Sequence, residues 1–138
     1  MIGYGHKLHD GRCTAGDVST WGTWTPDVAM GWLQQDADRL VNQIKGSIAT
    51  TPLYQYEFDA LASWTYNIGP GSFPGSGLDY QLSASPPRYG AVPGELLKWV
   101  YAKGHKYCGL YRRRTNEGHL FSTGQYATSV PSCPSGYL

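Results

Sequence analysis

Apolar residues recur every three or four positions through Ala29, Leu33, Ala37, Leu40 and Ile44, a stripe that predicts one long amphipathic helix. Thr25-Pro26-Asp27 supplies its start, with a capping hydroxyl, a proline where no N–H is needed and an acid in the first turn. Gly46 marks its expected end. A second run, Tyr54 to Ile68, is different in kind. From Phe58 onward Ala60, Leu61, Ala62, Trp64, Tyr66 and Ile68 leave little polar face, so this helix should lie in the core, with Phe58, Leu61, Trp64 and Ile68 largely buried. Gly69-Pro70-Gly71 should stop it.

The remaining pattern is shorter in range. Ile2 to Tyr4 and a segment near Cys13 to Val18, with the turn dipeptide Asp10-Gly11 between them, read as strands of a small hairpin. Phe73 to Leu82 reads as a turn and short helix, and Ser83 to Pro93 as an irregular loop. Glu95 to Ala102 reads as a short helix ending at Gly104, and Leu110 to Phe121 as the last helix, closed by Gly124. Residues 1–124 then form one domain and 125–138 a tail or linker. A small hairpin followed by helices predicts an α+β, mainly helical class.

Composition changes this picture little. The 138 residues carry a net charge of +1, which gives no electrostatic reason to expect a nucleic-acid partner. No apolar run approaches the ~20 residues of a membrane span, so no membrane insertion is expected. The aromatic share is high at 14%, with 5 Trp and 11 Tyr, from a heavily packed core or from flat rings that face sugars. Three cysteines, Cys13, Cys108 and Cys133, without a C-x-x-C pair signal neither a zinc site nor a disulfide framework. One bridge plus a free thiol fits, but three reduced thiols is the expectation.

Candidate chemistry is sparse. Glycoside hydrolysis needs a carboxylic acid and a second carboxylate across the bond. The only glutamates, Glu57, Glu95 and Glu117, fall on predicted helices and read as solvated residues or ion-pair partners. Asp36 sits among apolar neighbours and His6 beside a glycine-flanked strand, so the two are expected to form a structural ion pair joining hairpin to helix. In Arg112-Arg113-Arg114 successive side chains turn by ~100°, so at least one should face inward or sideways.

These pieces in this order resemble the phage-type lysozymes of glycoside hydrolase family 24, over about residues 1–124. The resemblance rests on I-G-Y-G-H at residues 2–6, Gln35-Asp36, and Phe58-Asp59-Ala60-Leu61 running to Tyr66-Asn67-Ile68-Gly69. It continues through Phe73 with Ser76-Gly77-Leu78, Leu97 with Trp99, and Gly109-Leu110-Tyr111-Arg112-Arg113-Arg114 with Glu117 and Phe121. It implies a lysozyme-like fold, with a small N-terminal β-hairpin lobe and a helical lobe. It also implies a monomeric peptidoglycan hydrolase that cleaves the β-1,4 bond between N-acetylmuramic acid and N-acetylglucosamine, without metal or cofactor. The expected partner is a bacterial glycan strand. The expected place is the host cytoplasm and then the periplasm or cell wall, or delivery to the periplasm as an effector or virion domain.

The family's catalytic Glu and Asp or Cys would precede residue 1, and its catalytic Thr position is Met1 here. The resemblance places active-site support at His6, Asp36 and Arg113, and substrate-lining positions at Tyr66, Asn67 and Ser76. The 138 residues alone are therefore expected to be inactive. The alternative is a catalytically inactive lysozyme-fold module that binds glycan or serves as a structural part of a tail, spike or effector.

Overall fold

The long stripe forms as its start signals require. In the computed structural model, which describes residues 1–126 and 129–138, Thr25 Oγ1 accepts the Val28 N–H at 3.3 Å. The helix labelled α2 then runs Pro26–Ser47. It is preceded by α1 (Ala15–Trp21) and followed by α3 (Gln55–Ile68), α4 (Gly77–Leu82), a 3₁₀ turn at Tyr89–Ala91 and α5 (Val92–Leu97). A two-residue hairpin, β1 (Tyr101–Ala102) and β2 (His105–Lys106), leads to α6 (Cys108–Thr123). The chain divides into two units, Met1–Arg39 and Leu40–Leu138, with the boundary inside α2.

The first unit corrects the expected N-terminal hairpin lobe. Ile2 and His6 exchange backbone hydrogen bonds of 2.8 and 2.9 Å, but as one isolated bridge around a tight loop. Gly3 adopts φ +56° there, and a Cβ on it would come within 3.1 Å of the Ala29 Cβ. Cys13 to Val18 is no strand. Thr14 Oγ1 accepts the Asp17 N–H at 3.2 Å, and Asp17 Oδ2 accepts the Thr14 N–H at 2.7 Å. This capping box offers the backbone a helical start that outweighs weak β propensity. His9 Nε2 adds a third contact to Asp17 Oδ2 at 2.8 Å. His6 Nδ1 lies 2.9 Å from Oδ2 of Asp36 on α2, a half-buried pair rather than a deeply buried one.

The second unit holds the main core. Ile44, Ile48, Ala60, Leu61, Trp64, Phe73, Leu78, Leu82, Val92, Leu96 and Phe121 form one buried cluster, with Phe58 and Ile68 half-buried against it. Burial of so many large side chains supplies the main stabilisation, at about 1.5–3 kcal/mol for each fully buried one. The helix α6 lies close on α5, because a Cβ at Gly118 would meet the Pro93 Cβ at 3.2 Å. Gly124, at φ +73°, closes α6 in the left-handed conformation and donates to Leu120 O at 2.8 Å. Two expectations shift here. The helix placed at Glu95 to Ala102 starts earlier, inside the supposed loop, and ends at Leu97. Beyond it β1 and β2 pair antiparallel, Tyr101 with Lys106 and Ala102 with His105, so among the described residues the sheet lies here and not at the N terminus.

The stretch read as a tail or linker is fastened to α6, apart from Ala127 and Thr128, which lie outside the described residues. Cys108 and Cys133 form a disulfide, so the expected three reduced thiols are corrected to one bridge and an exposed Cys13. Cys108 N–H donates to Leu138 O at 2.7 Å, and Leu138 N–H to Lys106 O at 2.8 Å. Arg112 Nε donates to Pro131 O at 3.0 Å, and Asn116 Nδ2 to Ser129 O at 2.9 Å.

Two predictions follow from these anchors. The bridge spans a sequence separation of 25 residues, so loop closure makes it worth about 3 kcal/mol in the chain-entropy account. Reduction by dithiothreitol should lower the melting temperature, and a Cys108→Ser variant should melt low in either redox state. An unchanged melting temperature on reduction would count against a stabilising bridge.

The second prediction concerns pH at the start of α1. His9 is raised above its ordinary 6.5 by the Asp10 carbonyl and then Asp17. Asp17 is lowered to about 2 by the Thr14 N–H, His9 and the Thr14 hydroxyl. The His9 contribution is full below 6.5 and is lost as pH rises through the raised value; the Asp17 contribution is full above 3.8 and is lost as pH falls through about 2. Amide-exchange protection at Val18 should therefore peak between these two ordinary values and fall on both sides. Protection that stays level from below the lowered Asp17 value to above the raised His9 value would contradict it.

Candidate functional site

Two helices of the second unit build a polar cluster inside an otherwise apolar body. On α3, Ser63 and Asn67 are one turn apart and share a face. On α6, Glu117 follows Arg113 by four residues and Arg114 by three, so all three reach the same side. Glu117 Oε1 accepts from Ser63 Oγ at 2.8 Å, from Arg113 Nε at 3.1 Å and from Arg114 Nη2 at 3.3 Å. Its Oε2 lies 2.8 Å from Arg114 Nε. Arg114 Nη2 also donates to Asn67 Oδ1 at 2.6 Å.

The three arginines divide the work. Arg112 turns to Pro131, Arg113 is 42% exposed on its side chain, and Arg114 is 0% exposed. The triplet thus does send one member inward, and that member is Arg114. Arg113, the position expected to provide active-site support, lies on the rim, where its Nη2 donates to Ser63 O at 3.2 Å. Burial pushes Glu117 above the usual carboxylate range, against the opposing pull of Arg114, Ser63 and Arg113. Burial lowers Arg114 as well. A proton on Glu117 would leave a buried guanidinium uncompensated, so the pair holds its charges together. Arg114 Nη1 is buried and has no hydrogen-bond partner among the described residues. Beside the cluster, Ser63, Arg113, Asn116, Glu117 and Leu120, with Gln125 and Tyr126, line a cavity of about 320 Å³.

The other sequence-derived positions are placed as follows. Tyr66 is half-buried on α3 and Asn67 is exposed, held by Arg114. Ser76 caps α4, its Oγ accepting the Asp79 N–H at 3.2 Å. Met1 is exposed, and His6 and Asp36 belong to the first unit. Among the glutamates, Glu57 is buried and accepts the Tyr54 N–H at 2.7 Å at the start of α3. Glu95 pairs with Lys98 at 2.8 Å, which holds its carboxyl below the usual range. Among the described residues no three His, Cys, Asp or Glu side chains come together as a metal site.

A family model described as phage lysozyme matches residues 1–117. The chain belongs to the phage lysozyme family. It is 32% identical over 120 residues to the endolysin of Salmonella phage P22, covering 87% of this chain and 77% of that protein. To the endolysin of Bacillus phage B103 it is 32% identical over 124 residues, 90% of this chain but 43% of that protein. The chain therefore spans less than half the length of that relative. Among solved structures, the endolysin from Escherichia coli O157:H7 phage FAHEc1 superposes with a TM-score of 0.65 at 28% identity, covering 77% of this chain and 68% of the other. This lysozyme-family fold is mainly helical with a small sheet, as its class was expected to be.

The buried pair makes a sharp stability prediction for this lysozyme-family chain. Removing one partner strands a buried charge, so Glu117→Ala should cost about 3–5 kcal/mol in urea unfolding. The Arg114→Met, Glu117→Leu double variant should be more stable than Glu117→Ala alone, because no charge is then left unpaired. A Glu117→Ala loss below about 1 kcal/mol would mean the pair is hydrated like a surface bridge.

Proposed function

We propose that this chain forms the glycan-binding body of a peptidoglycan hydrolase, a muramidase that cleaves the β-1,4 bond between N-acetylmuramic acid and N-acetylglucosamine in bacterial cell lysis. The observation that carries the reading beyond family membership is Arg114. Its Nε and Nη2 are already engaged by Glu117 and Asn67, and its buried Nη1 is left to donate to an oxygen of a further carboxylate. A glycosidase needs such an oriented carboxyl to protonate the leaving oxygen. In this reading Arg114 takes the supporting role first assigned to Arg113, and Tyr66, Asn67 and Ser76 line the path of the glycan. Acid–base hydrolysis of this kind asks for no metal or cofactor. The protein would act as a monomer on the host cell wall, from the periplasmic side.

The acid itself is not one of the glutamates in residues 1–138. Glu57 is committed to a helix start, Glu95 to Lys98, and Glu117 to two arginines. The 138 residues alone should bind purified peptidoglycan and turn it over negligibly. A form extended at its N terminus by a helix carrying the family glutamate should gain about 10²–10⁴-fold, the scale of general-acid catalysis. Its product should yield muramitol after borohydride reduction, because the cut frees a muramic acid reducing end. Robust hydrolysis by residues 1–138 alone would overturn this assignment of the acid, and Glu117 would be the first residue to neutralise. An extended form that binds but never cuts would favour the glycan-binding module instead.

A further inference from the structure

The first unit gathers its tryptophans in one place. Trp32, on α2, is the half-buried centre. The His6 ring stacks on it with centroids 5.6 Å apart and planes 15° from parallel. Trp21, the last residue of α1, meets Trp32 edge-to-face at 5.9 Å, and Trp24 does so at 6.4 Å. Edge-to-face packing on a common ring fixes the orientation of both outer indoles. Both nevertheless remain open to solvent, Trp21 at 39% and Trp24 at 43%. Rings of this size bury the most apolar area of any side chain when covered, and exposed clusters of them mark binding surfaces.

The net charge of the first unit narrows the occupant. Residues 1–39 carry Lys7, Arg12 and Arg39 against Asp10, Asp17, Asp27, Asp36 and Asp38, a net −2 with histidines neutral. An anionic lipid surface or a nucleic acid selects the opposite sign. An uncharged pyranose does not. Its axial C–H face is flat and apolar and matches an indole, while its hydroxyl and acetamido oxygens can accept the indole N–H.

We propose that Trp21 and Trp24, braced on Trp32, form a stacking platform for an uncharged run of β-1,4-linked N-acetylhexosamine, a glycan subsite contained wholly in the first unit. The proposal rests on the reading of the chain as a peptidoglycan hydrolase and adds to it a surface remote in sequence from the α3–α6 cluster. The bracing matters to its physics. Rings already held by Trp32 lose little freedom on binding, so more of the stacking energy appears as affinity.

The test is titration of the 138-residue chain with an N-acetylglucosamine hexamer, followed by tryptophan fluorescence and calorimetry. Saturable binding with a fluorescence change is expected. Trp21→Ala and Trp24→Ala should each weaken it about tenfold, the equivalent of ~1.4 kcal/mol. Trp24→Tyr keeps a flat ring and should restore most of the affinity, which separates stacking from a folding defect. Arg114→Ala serves as the contrasting variant. If binding survives in both tryptophan variants and is lost in Arg114→Ala, the platform is wrong while the hydrolase reading stands. If hexamer binding is absent from every form and the extended form never cuts peptidoglycan, both fail. Binding to phosphatidylglycerol vesicles in place of the hexamer, or self-association abolished by Trp24→Ala in place of hexamer binding, would also overturn the platform.

Discussion

Arg114 carries a charge that water cannot reach, and the second unit is arranged around that constraint. A lone guanidinium in such a place would cost several kcal/mol in desolvation, so its neighbours must answer it. Glu117 does so from the next turn of α6, and Asn67 from α3. Glu117 is in turn held by Ser63 of α3 and by Arg113. The same contacts that satisfy the charge therefore tie the two helices together in one register. Apolar packing of Leu61, Trp64 and Phe121 supplies the bulk of the stabilisation, but it tolerates sliding in a way that a network of donors and acceptors does not.

The same arrangement bears on the proposed function. A guanidinium that is fixed, buried and not fully satisfied is poor for stability and useful for holding an anion. The C-terminal segment bears on this site indirectly. Its disulfide at Cys108 and its contacts to Arg112 and Asn116 grip α6 from Cys108 to Asn116, the stretch that also presents Arg113 and Arg114.

Long-range periodicity made much of this legible. The spacing in α2 and the all-round apolarity of α3 depend on chemistry repeated over several turns, Gly124 is a single strong stop for α6, and those helices lie where expected. Short elements were harder, because a few local hydrogen bonds decide them. Thr14 and Asp17 stand three residues apart and could have signalled the start of α1, yet the turn dipeptide Asp10-Gly11 before them suggested a hairpin. The hairpin at Tyr101–Lys106 has two residues per strand, too few for alternation to register. In the triplet, rotation per residue left at least one arginine facing inward or sideways, but choosing Arg114 needs the facing surface of α3. The sign was available in part: Glu117 stands three and four residues beyond two arginines, and Ser63 interrupts an apolar helix one turn before Asn67.

The buried charge can be observed directly through the arginine side chains. Nitrogen-15 spectra of the 138-residue chain resolve guanidinium protons only when they are held and shielded from exchange. The account predicts that the Arg114 side-chain N–H signals are resolved, slow to exchange and slow to rotate, while those of Arg113 exchange like a surface residue. It also predicts that Glu117→Gln speeds the exchange at Arg114. Arg114 protons that exchange as fast as those of Arg113 would contradict it, because the charge would then be hydrated and the helices would be held by apolar packing alone.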